Sequence, residues 1–305
     1  MVLQTLKALA DPSRLRIVDV LQHGELTVQE LTAILGMGQS RVSRHLKILA
    51  GVGILAVKRQ GTWAYYRLAE TPFFSEIRLA LQKNLQTLPA HRADHDRLTS
   101  ILETRRQRSQ QFFEQHARQW DRLAREVLPA ADYRAPLLTA IPGCRGLLEV
   151  GVGTGVLLAA LREKAEKVIG VDYSPAMLEQ ARGRIDAEGL TGIDLRLGEM
   201  THLPLSDVAV DAAILNMVLH HAAQPASVLV EIARVLSVDG ALVIADLLRH
   251  DREWVRERMA DQWLGFEQEE LLAWLASAGF SAESFQIVSG RQEQLSVFIL
   301  SARKR

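Results

Sequence analysis

Leu147-Leu148-Glu149-Val150-Gly151-Val152-Gly153-Thr154-Gly155 decides the fold of the larger part of this chain. A short apolar run entering a glycine turn reads as a buried strand, and a helical stretch follows from Val156 to Glu163. Glycine at such a turn lets backbone approach a ligand without interference from Cβ. The next strand, Lys167-Val168-Ile169-Gly170-Val171, ends in Asp172, where a carboxylate is placed to accept hydrogen bonds from ribose hydroxyls. Strand, glycine turn, helix, strand and acid in that order predict a nucleotide site in a parallel α/β sheet. A dinucleotide G-x-G-x-x-G turn needs glycine at 156, and the residue is Val156. Further strands are expected at Asp194–Leu197, Asp211–Leu215, Ala241–Asp246 and Ser296–Leu300.

The remaining pattern, G-x-G-x-G preceded by Glu149, resembles the class I S-adenosylmethionine-dependent methyltransferases. The likeness runs along residues 140–280 and is closest to small-molecule enzymes of the ubiquinone and menaquinone biosynthesis type. Asp172-Tyr173-Ser174-Pro175-Ala176-Met177-Leu178 resembles the segment whose acid holds ribose and whose following side chains flank adenine. Gly198-Glu199-Met200, with Leu203-Pro204-Leu205, resembles the adenine-edge loop, with Glu199 where that family usually has Asp. The resemblance implies a Rossmann-like α/β domain over 135–305 that binds S-adenosylmethionine or S-adenosylhomocysteine. By the same likeness the binding residues are Glu149, Gly151, Gly153, Gly155, Asp172, Tyr173, Met177, Glu199, Met200 and Asn216. Methyl transfer from a sulfonium needs mainly alignment and proximity. No catalytic residue is therefore assigned, His220 and His221 stand only as candidates for a base, and turnover is left open.

Net charge is zero over 305 residues but unevenly spread. Residues 1–70 hold nine basic and five acidic side chains, 71–145 hold twelve and eight, and 146–305 hold fifteen and twenty-three. Between Glu30 and Glu70 there is no acid, while Arg41, Arg44, Lys47, Lys58, Arg59 and Arg67 all fall there. Such a stretch suits a polyanion, because each phosphate neutralised releases condensed counterions. Asp11-Pro12-Ser13 starts a helix, Thr27 with Glu30 caps another, and Gly36-Met37-Gly38 turns into a third from about Ser40 to Ala50. Ile54–Val57 and Trp63–Leu68, joined by Lys58-Arg59-Gln60-Gly61-Thr62, read as a β-hairpin. A helix-turn-helix followed by a basic hairpin is an α+β winged helix, here over 1–72, whose second helix enters the major groove. The candidates for DNA contact are Gln39, Ser40, Arg41, Ser43, Arg44, His45 and Lys47 on the outward face of that helix. Lys58, Arg59 and Thr62 are added at the hairpin tip.

Three segments, 8–17, 25–31 and 39–49, are similar to the ArsR family of bacterial winged-helix repressors, a likeness covering about residues 1–70. It implies a homodimer that reads an inverted repeat in double-stranded DNA and responds to an effector. Metal sensors of that family carry cysteines in the stretch matched by Leu26 to Gln29, and none is present. Cys144 is the one cysteine, which excludes an intrachain disulfide and a multi-cysteine metal site within one subunit. His91 and His95 lie four apart with Asp94 beside them, and His23 and His45 add imidazoles. A polar helix face carries the same residues, and no metal is assigned.

Residues 73–134 read as a helical connector with possible dimer contacts. Phe112, His116, Trp120 and Leu123 form a stripe expected to pack on the following domain, and Arg105-Arg106-Gln107-Arg108 is read as a solvated face. The chain is thus expected to be multidomain, with a winged helix, a helical connector and a Rossmann-like domain. No run approaches the roughly 18 apolar residues of a membrane span, and no secretory signal is present, which predicts a cytoplasmic chain without a membrane partner. The expected function is a DNA-binding regulator whose affinity is set by S-adenosylmethionine or S-adenosylhomocysteine, in methionine and methyl-cycle control. The alternative is an active small-molecule methyltransferase with an autoregulatory DNA-binding domain. DNA methylation lacks its Asn/Asp-Pro-Pro-Tyr/Phe or Pro-Cys motif, and arsenic methylation lacks the several thiols it uses.

Overall fold

The computed structural model, which describes residues 2–69, 71–127, 130–289 and 295–305, divides between Arg105 and Arg106 into two units. Unit 1 opens with α1 (Val2–Leu9), a helix not expected from the sequence, followed by α2 (Pro12–Val20). Asp11 starts α2 by accepting the Arg14 backbone N–H at 3.0 Å, and Pro12 supplies a preset φ at the first helical position. A single 3-10 turn, Leu21–His23, closes it. A two-residue strand β1 (Leu26–Thr27) leads into α3 (Val28–Leu35). The expected capping box is present: the Thr27 N–H donates to Glu30 Oε2 at 2.8 Å and the Glu30 N–H to Thr27 Oγ1 at 3.2 Å.

Helix α4 (Gln39–Gly51) follows, then β2 (Leu55–Gln60), β3 (Trp63–Leu68) and α5 (Pro72–Leu85). Val42, Leu46 and Leu49 of α4 are fully buried against Ile17, Leu31 and Ile34, which fixes the helix-turn-helix. The sheet runs β1-β3-β2, and its hairpin turns at Gly61-Thr62. Lys58, Arg59 and Gln60 therefore belong to the strand, not to the turn as the sequence reading had it.

Helix α6 (His91–His116) contains the boundary between the units. Its first half packs Leu98, Ile101 and Leu102 into the core of unit 1. Buried Asp94 accepts from Arg16 Nε and Nη2 at 2.6 and 2.7 Å, and Arg105 donates to Glu30 Oε1 at 2.6 Å. Arg105 is thus an anchor rather than part of a solvated face.

Unit 2 continues with α7 (Trp120–Val127), α8 (Ala130–Ala140), β4 (Cys144–Val150), α9 (Leu158–Arg162), β5 (Ala165–Asp172), α10 (Pro175–Glu188) and β6 (Ile193–Leu197). It ends with β7 (Val210–Asn216), α11 (Pro225–Val235), β8 (Leu236–Leu247), α12 (Trp254–Arg258), α13 (Gln268–Ser277), β9 (Phe280–Val288) and β10 (Val297–Lys304). The seven-stranded sheet has the order β6-β5-β4-β7-β8-β10-β9. Its first five strands are parallel, while β10 runs antiparallel to both β8 and β9. This is a mostly parallel Rossmann-like sheet, as expected. The chain leaves β4 to one side for β5 and returns to the other for β7, so a crevice opens at the carboxyl ends of these strands. Among the described residues no helix is long and apolar enough to cross a membrane.

Candidate functional site

The crevice is built by the glycine turn. After β4, the N–H groups of Gly151 and Val152 both donate to the Val171 carbonyl, at 2.8 and 3.1 Å, which carries the turn over the end of β5. Gly151 has φ +72, and a Cβ there would lie 2.3 Å from Val218 Cγ2, so no other residue fits. The next glycine, Gly153, faces open space, and its N–H donates to Asp172 Oδ2 at 2.8 Å. The other Asp172 oxygen accepts the Ser174 N–H at 2.9 Å, and Ser174 in turn caps α10 through the Met177 N–H.

These bonds favour the ionised carboxylate of Asp172, but burial outweighs them and pushes its pKa up to about 6. Glu149 is buried behind the turn, and its Oε2 has no hydrogen-bond partner. Burial, and then the charge of Asp172, raise its pKa to about 8.

A cavity of about 270 Å³ follows from this geometry. Its wall brings together Glu149, Gly151, Gly153, Asp172, Tyr173, Met177, Met200 and Asn216 from the residues the sequence singled out. Gly155 and Glu199 are not in that wall. A Cβ on Gly155 would lie 2.7 Å from Leu158 Cδ1, so this glycine serves the packing of the turn on α9. The Glu199 carboxylate is paired with the Arg106 guanidinium. The family resemblance counts both among the binding residues; here each packs against another partner.

The sequence reading missed the rest of the wall. Phe113, from the second half of α6, lies edge-on to Trp120 and His221 at centroid distances of 4.9 and 4.8 Å. Ser109 and Tyr173 share a hydroxyl hydrogen bond at 2.8 Å, and Gln110 donates to the Tyr173 carbonyl at 3.2 Å. Asp121 of α7 accepts from Thr154 Oγ1 at 2.5 Å and Arg184 Nη2 at 2.6 Å, fastening that helix beside the glycine turn. Tyr133 of α8 donates to Asn216 Oδ1 at 3.2 Å. The aromatic stripe was the available signal for α6. α8, with Pro136 inside it, gave none.

The adjacent histidines differ in kind. His220 lies behind the wall, with Nδ1 2.6 Å from Asp246 Oδ1. Burial opposes its protonation, but Asp246 and Asp261 outweigh burial and push its pKa to about 9. His221 lines the cavity; burial and the charge of His220 hold its pKa well below the usual value. The His221 Nδ1–H faces the Ala260 carbonyl at 3.4 Å, and its Nε2 has no hydrogen-bond partner.

On unit 1, Gln39, Ser40, Arg41, Ser43, Arg44 and Lys47 are exposed along α4, as are Arg59 and Thr62 at the hairpin. His45 and Lys58 are not, which corrects their expected outward placement. His45 falls on the inner side of α4 beside Leu46, buried to 8% exposure. Strand alternation turns Lys58 inward while Arg59 points out, and Lys58 Nζ lies 3.8 Å from buried Glu25.

Two family models match separate parts of the chain. That for the bacterial regulatory proteins of the arsR family matches residues 11–57, and that for a methyltransferase domain matches 148–244. The arsenic resistance transcriptional regulator ArsR1 of Pseudomonas putida is 48% identical over 63 residues, 20% of this chain and 49% of that protein. The arsenite methyltransferase of Halobacterium salinarum is 34% identical over 106 residues, 34% of this chain and 27% of that protein. The chain thus spans about a quarter to a half of the length of these curated relatives. Among solved structures, the N-methyltransferase NodS of Bradyrhizobium japonicum, in complex with S-adenosyl-L-homocysteine, superposes with a TM-score of 0.53 at 15% identity. That superposition covers 64% of this chain and 98% of NodS, and at this identity it speaks for the fold alone.

Proposed function

We propose, for a chain that joins a regulatory domain of the bacterial arsR family to a methyltransferase domain, that it is a ligand-controlled DNA-binding regulator. It acts as a homodimer on an inverted repeat in double-stranded DNA, through Gln39, Ser40, Arg41, Ser43, Arg44 and Lys47 in the groove and Arg59 and Thr62 at the wing. The crevice of unit 2 takes S-adenosylmethionine or S-adenosylhomocysteine, and its occupancy sets DNA affinity in control of the methionine and methyl cycle.

The cavity residues fit an adenosyl ligand. Asp172 retains lone pairs for ribose hydroxyls, Gly153 leaves its open side for close approach, and the orphaned Glu149 Oε2 awaits a donor. Tyr173, Met177 and Met200 supply the apolar surround for the base. Bound S-adenosylmethionine would supply an electrophilic methyl on a sulfonium.

The single observation that carries regulation is helix α6. Its residues 98–105 are built into the core and ion pairs of unit 1, while Ser109, Gln110 and Phe113 of the same helix meet Tyr173 and the cavity wall in unit 2. A ligand that repositions Phe113 therefore acts on a segment shared with the arsR-family domain. A tenfold ligand-induced change in DNA affinity corresponds to about 1.4 kcal/mol of coupling. The test is fluorescence anisotropy with DNA upstream of the protein's own gene, titrated with each adenosyl compound. A DNA affinity that responds to one of them supports the reading, and two bound ligands with no effect on DNA refute it.

His221 favours a second reading, methyl transfer to a small molecule. A neutral imidazole with a free Nε2 in the cavity wall is equipped to take a proton from an acceptor. Incubation with labelled S-adenosylmethionine and a panel of small acceptors tests it. Label in a small product supports turnover; its absence across the panel leaves sensing as the use of the cavity.

A further inference from the structure

Beside the adenosyl cavity, unit 2 buries a carboxylate that neither reading uses. A 3-10 turn, Leu219–His221, follows β7, and the loop after α12 folds back on it. The Gln262 and Trp263 N–H groups both donate to the His220 carbonyl at 3.0 Å, and Trp263 Nε1 donates to the Ala222 carbonyl at 2.7 Å. Ala260 turns this loop with φ +57, a left-handed conformation that alanine adopts rarely. The residue so presented to the two histidines is Asp261, buried to 6% exposure.

The two acids around the pair differ. Asp246 is satisfied: it accepts from His220 Nδ1 at 2.6 Å, from the Leu219 N–H at 2.8 Å and from the Leu247 N–H at 2.7 Å. Asp261 Oδ1 is buried without a hydrogen-bond partner, although His220 Nε2 stands 3.6 Å away and His221 Nδ1 3.7 Å away. Both separations are too long for hydrogen bonds. They are close to the spacing of about 3.3–3.5 Å between two ligand atoms on a tetrahedral ion with bonds of about 2.0–2.1 Å. One donor atom from each of His220, His221 and Asp261 falls within 4.8 Å of the others. A buried oxygen of this kind is normally accounted for by a water or an ion, and two imidazole nitrogens converging on it favour the ion.

We infer that His220 Nε2, His221 Nδ1 and Asp261 Oδ1 bind one divalent transition-metal ion of the zinc or cobalt type. Two imidazoles and one carboxylate are a borderline donor set. Magnesium and calcium prefer all-oxygen surroundings, and copper(I) prefers sulfur. With Nδ1 donating to Asp246, the neutral His220 ring carries its lone pair on Nε2, and such a carboxylate is the usual support behind a ligating histidine. Three protein ligands leave a fourth position for water. His221 lines the adenosyl cavity, which gives an ion a way in. Ligation by Nδ1 puts the His221 proton on Nε2, so the loaded chain has no imidazole base there and proton abstraction belongs to the ion-free chain alone. The inference rests on neither reading of the cavity.

The test is titration of the full chain with Co(II) at pH 7.5, followed by visible absorption and by competition with Zn(II). Wild type is compared with His221→Gln, Asp261→Asn and His91→Gln. The last is the comparator, because Asp19, His91 and His95 offer another set of donors within 4.8 Å of one another. The expected result is one equivalent of Co(II) with ligand-field bands of nitrogen and oxygen ligation. Its affinity should fall at least about tenfold in His221→Gln and in Asp261→Asn, and stay at the wild-type value in His91→Gln. Circular dichroism of the ion-free variants should match wild type. If Asp261→Asn fails to fold, His221→Gln alone must show the loss. No binding by wild type at micromolar Co(II) or Zn(II) overturns the assignment. So does undiminished affinity in either folded unit 2 variant, or an equal loss in His91→Gln.

Discussion

Asp172 holds the glycine turn: its carboxylate accepts the Gly153 backbone N–H at 2.8 Å, joining the end of β5 to the turn that leaves β4. The cavity-lining backbone and the acid thus form one piece. Asp172→Ala should weaken adenosyl-ligand binding by more than about tenfold, because two backbone donors lose their acceptor as well as the ribose its partner. Asp172→Asn, which keeps one acceptor oxygen, should lose less. Calorimetric titration with S-adenosylhomocysteine compares the two, and equal losses would count against the bracing role.

Glu149 gives a pH signature. Its folded pKa of about 8 lies above the ordinary 4.5, so the folded state holds a proton that the unfolded state releases. Stability contributed by this group is therefore full below about pH 4.5 and falls as pH rises toward 8. Glu149→Gln should stabilise the ligand-free chain at pH 8 by about 1–4 kcal/mol while weakening ligand binding. Denaturant unfolding at pH 5 and pH 8 measures the difference. A variant less stable than wild type at pH 8 contradicts the assignment.

His220 acts in the same direction over a higher window. Its folded pKa of about 9 exceeds 6.5, so the stability it contributes beside Asp246 is full below pH 6.5 and is lost as pH passes 9. His220→Gln should flatten the stability profile between pH 6.5 and 9. It should also cost about 3–5 kcal/mol at pH 6, since it takes the cation away from buried Asp246.

Arg44 and Lys58 separate the nucleic-acid face from the fold. Arg44→Ala should weaken DNA binding and reduce the slope of log affinity against log salt by about 1, leaving ligand affinity unchanged. Lys58→Ala should leave the salt slope at its wild-type value and lower stability, since Lys58 faces buried Glu25. Anisotropy titrations at four salt concentrations distinguish them. A slope lowered equally by both would restore Lys58 to the contact face.

Phe113→Ala removes the aromatic wall that α6 contributes to the cavity. Ligand affinity should fall by about fivefold or more, consistent with loss of a buried aromatic contact. The DNA affinity of the ligand-free protein should stay at the wild-type value. A mutant that binds ligand normally would place the carrying interaction elsewhere.

Local order made much of this protein legible from its residues. Asp11-Pro12 and Thr27 with Glu30 act within one helical turn, and the glycine turn with Asp172 acts within one βαβ unit, so spacing alone located them. Fidelity ended where a side chain chose a distant partner. The polar neighbours of Lys58 suggest a hairpin tip, but strand alternation turns it toward Glu25, and helical phase turns His45 toward the core. The basic run around Arg105 suggests a solvated face, but Glu30 on α3 pairs with it.

What the sequence determined by itself was the order of domains, the helix-turn-helix and the acid-tipped glycine turn, because their signals lie within a few residues. Only the tertiary structure decided which α6 residues wall the cavity, that Glu149 is an orphaned buried acid, and that Asp19 rather than Asp94 meets His91 and His95. Those contacts join positions far apart in the chain. Their energies depend on burial and on the direction of side chains, which packing sets and local spacing does not encode.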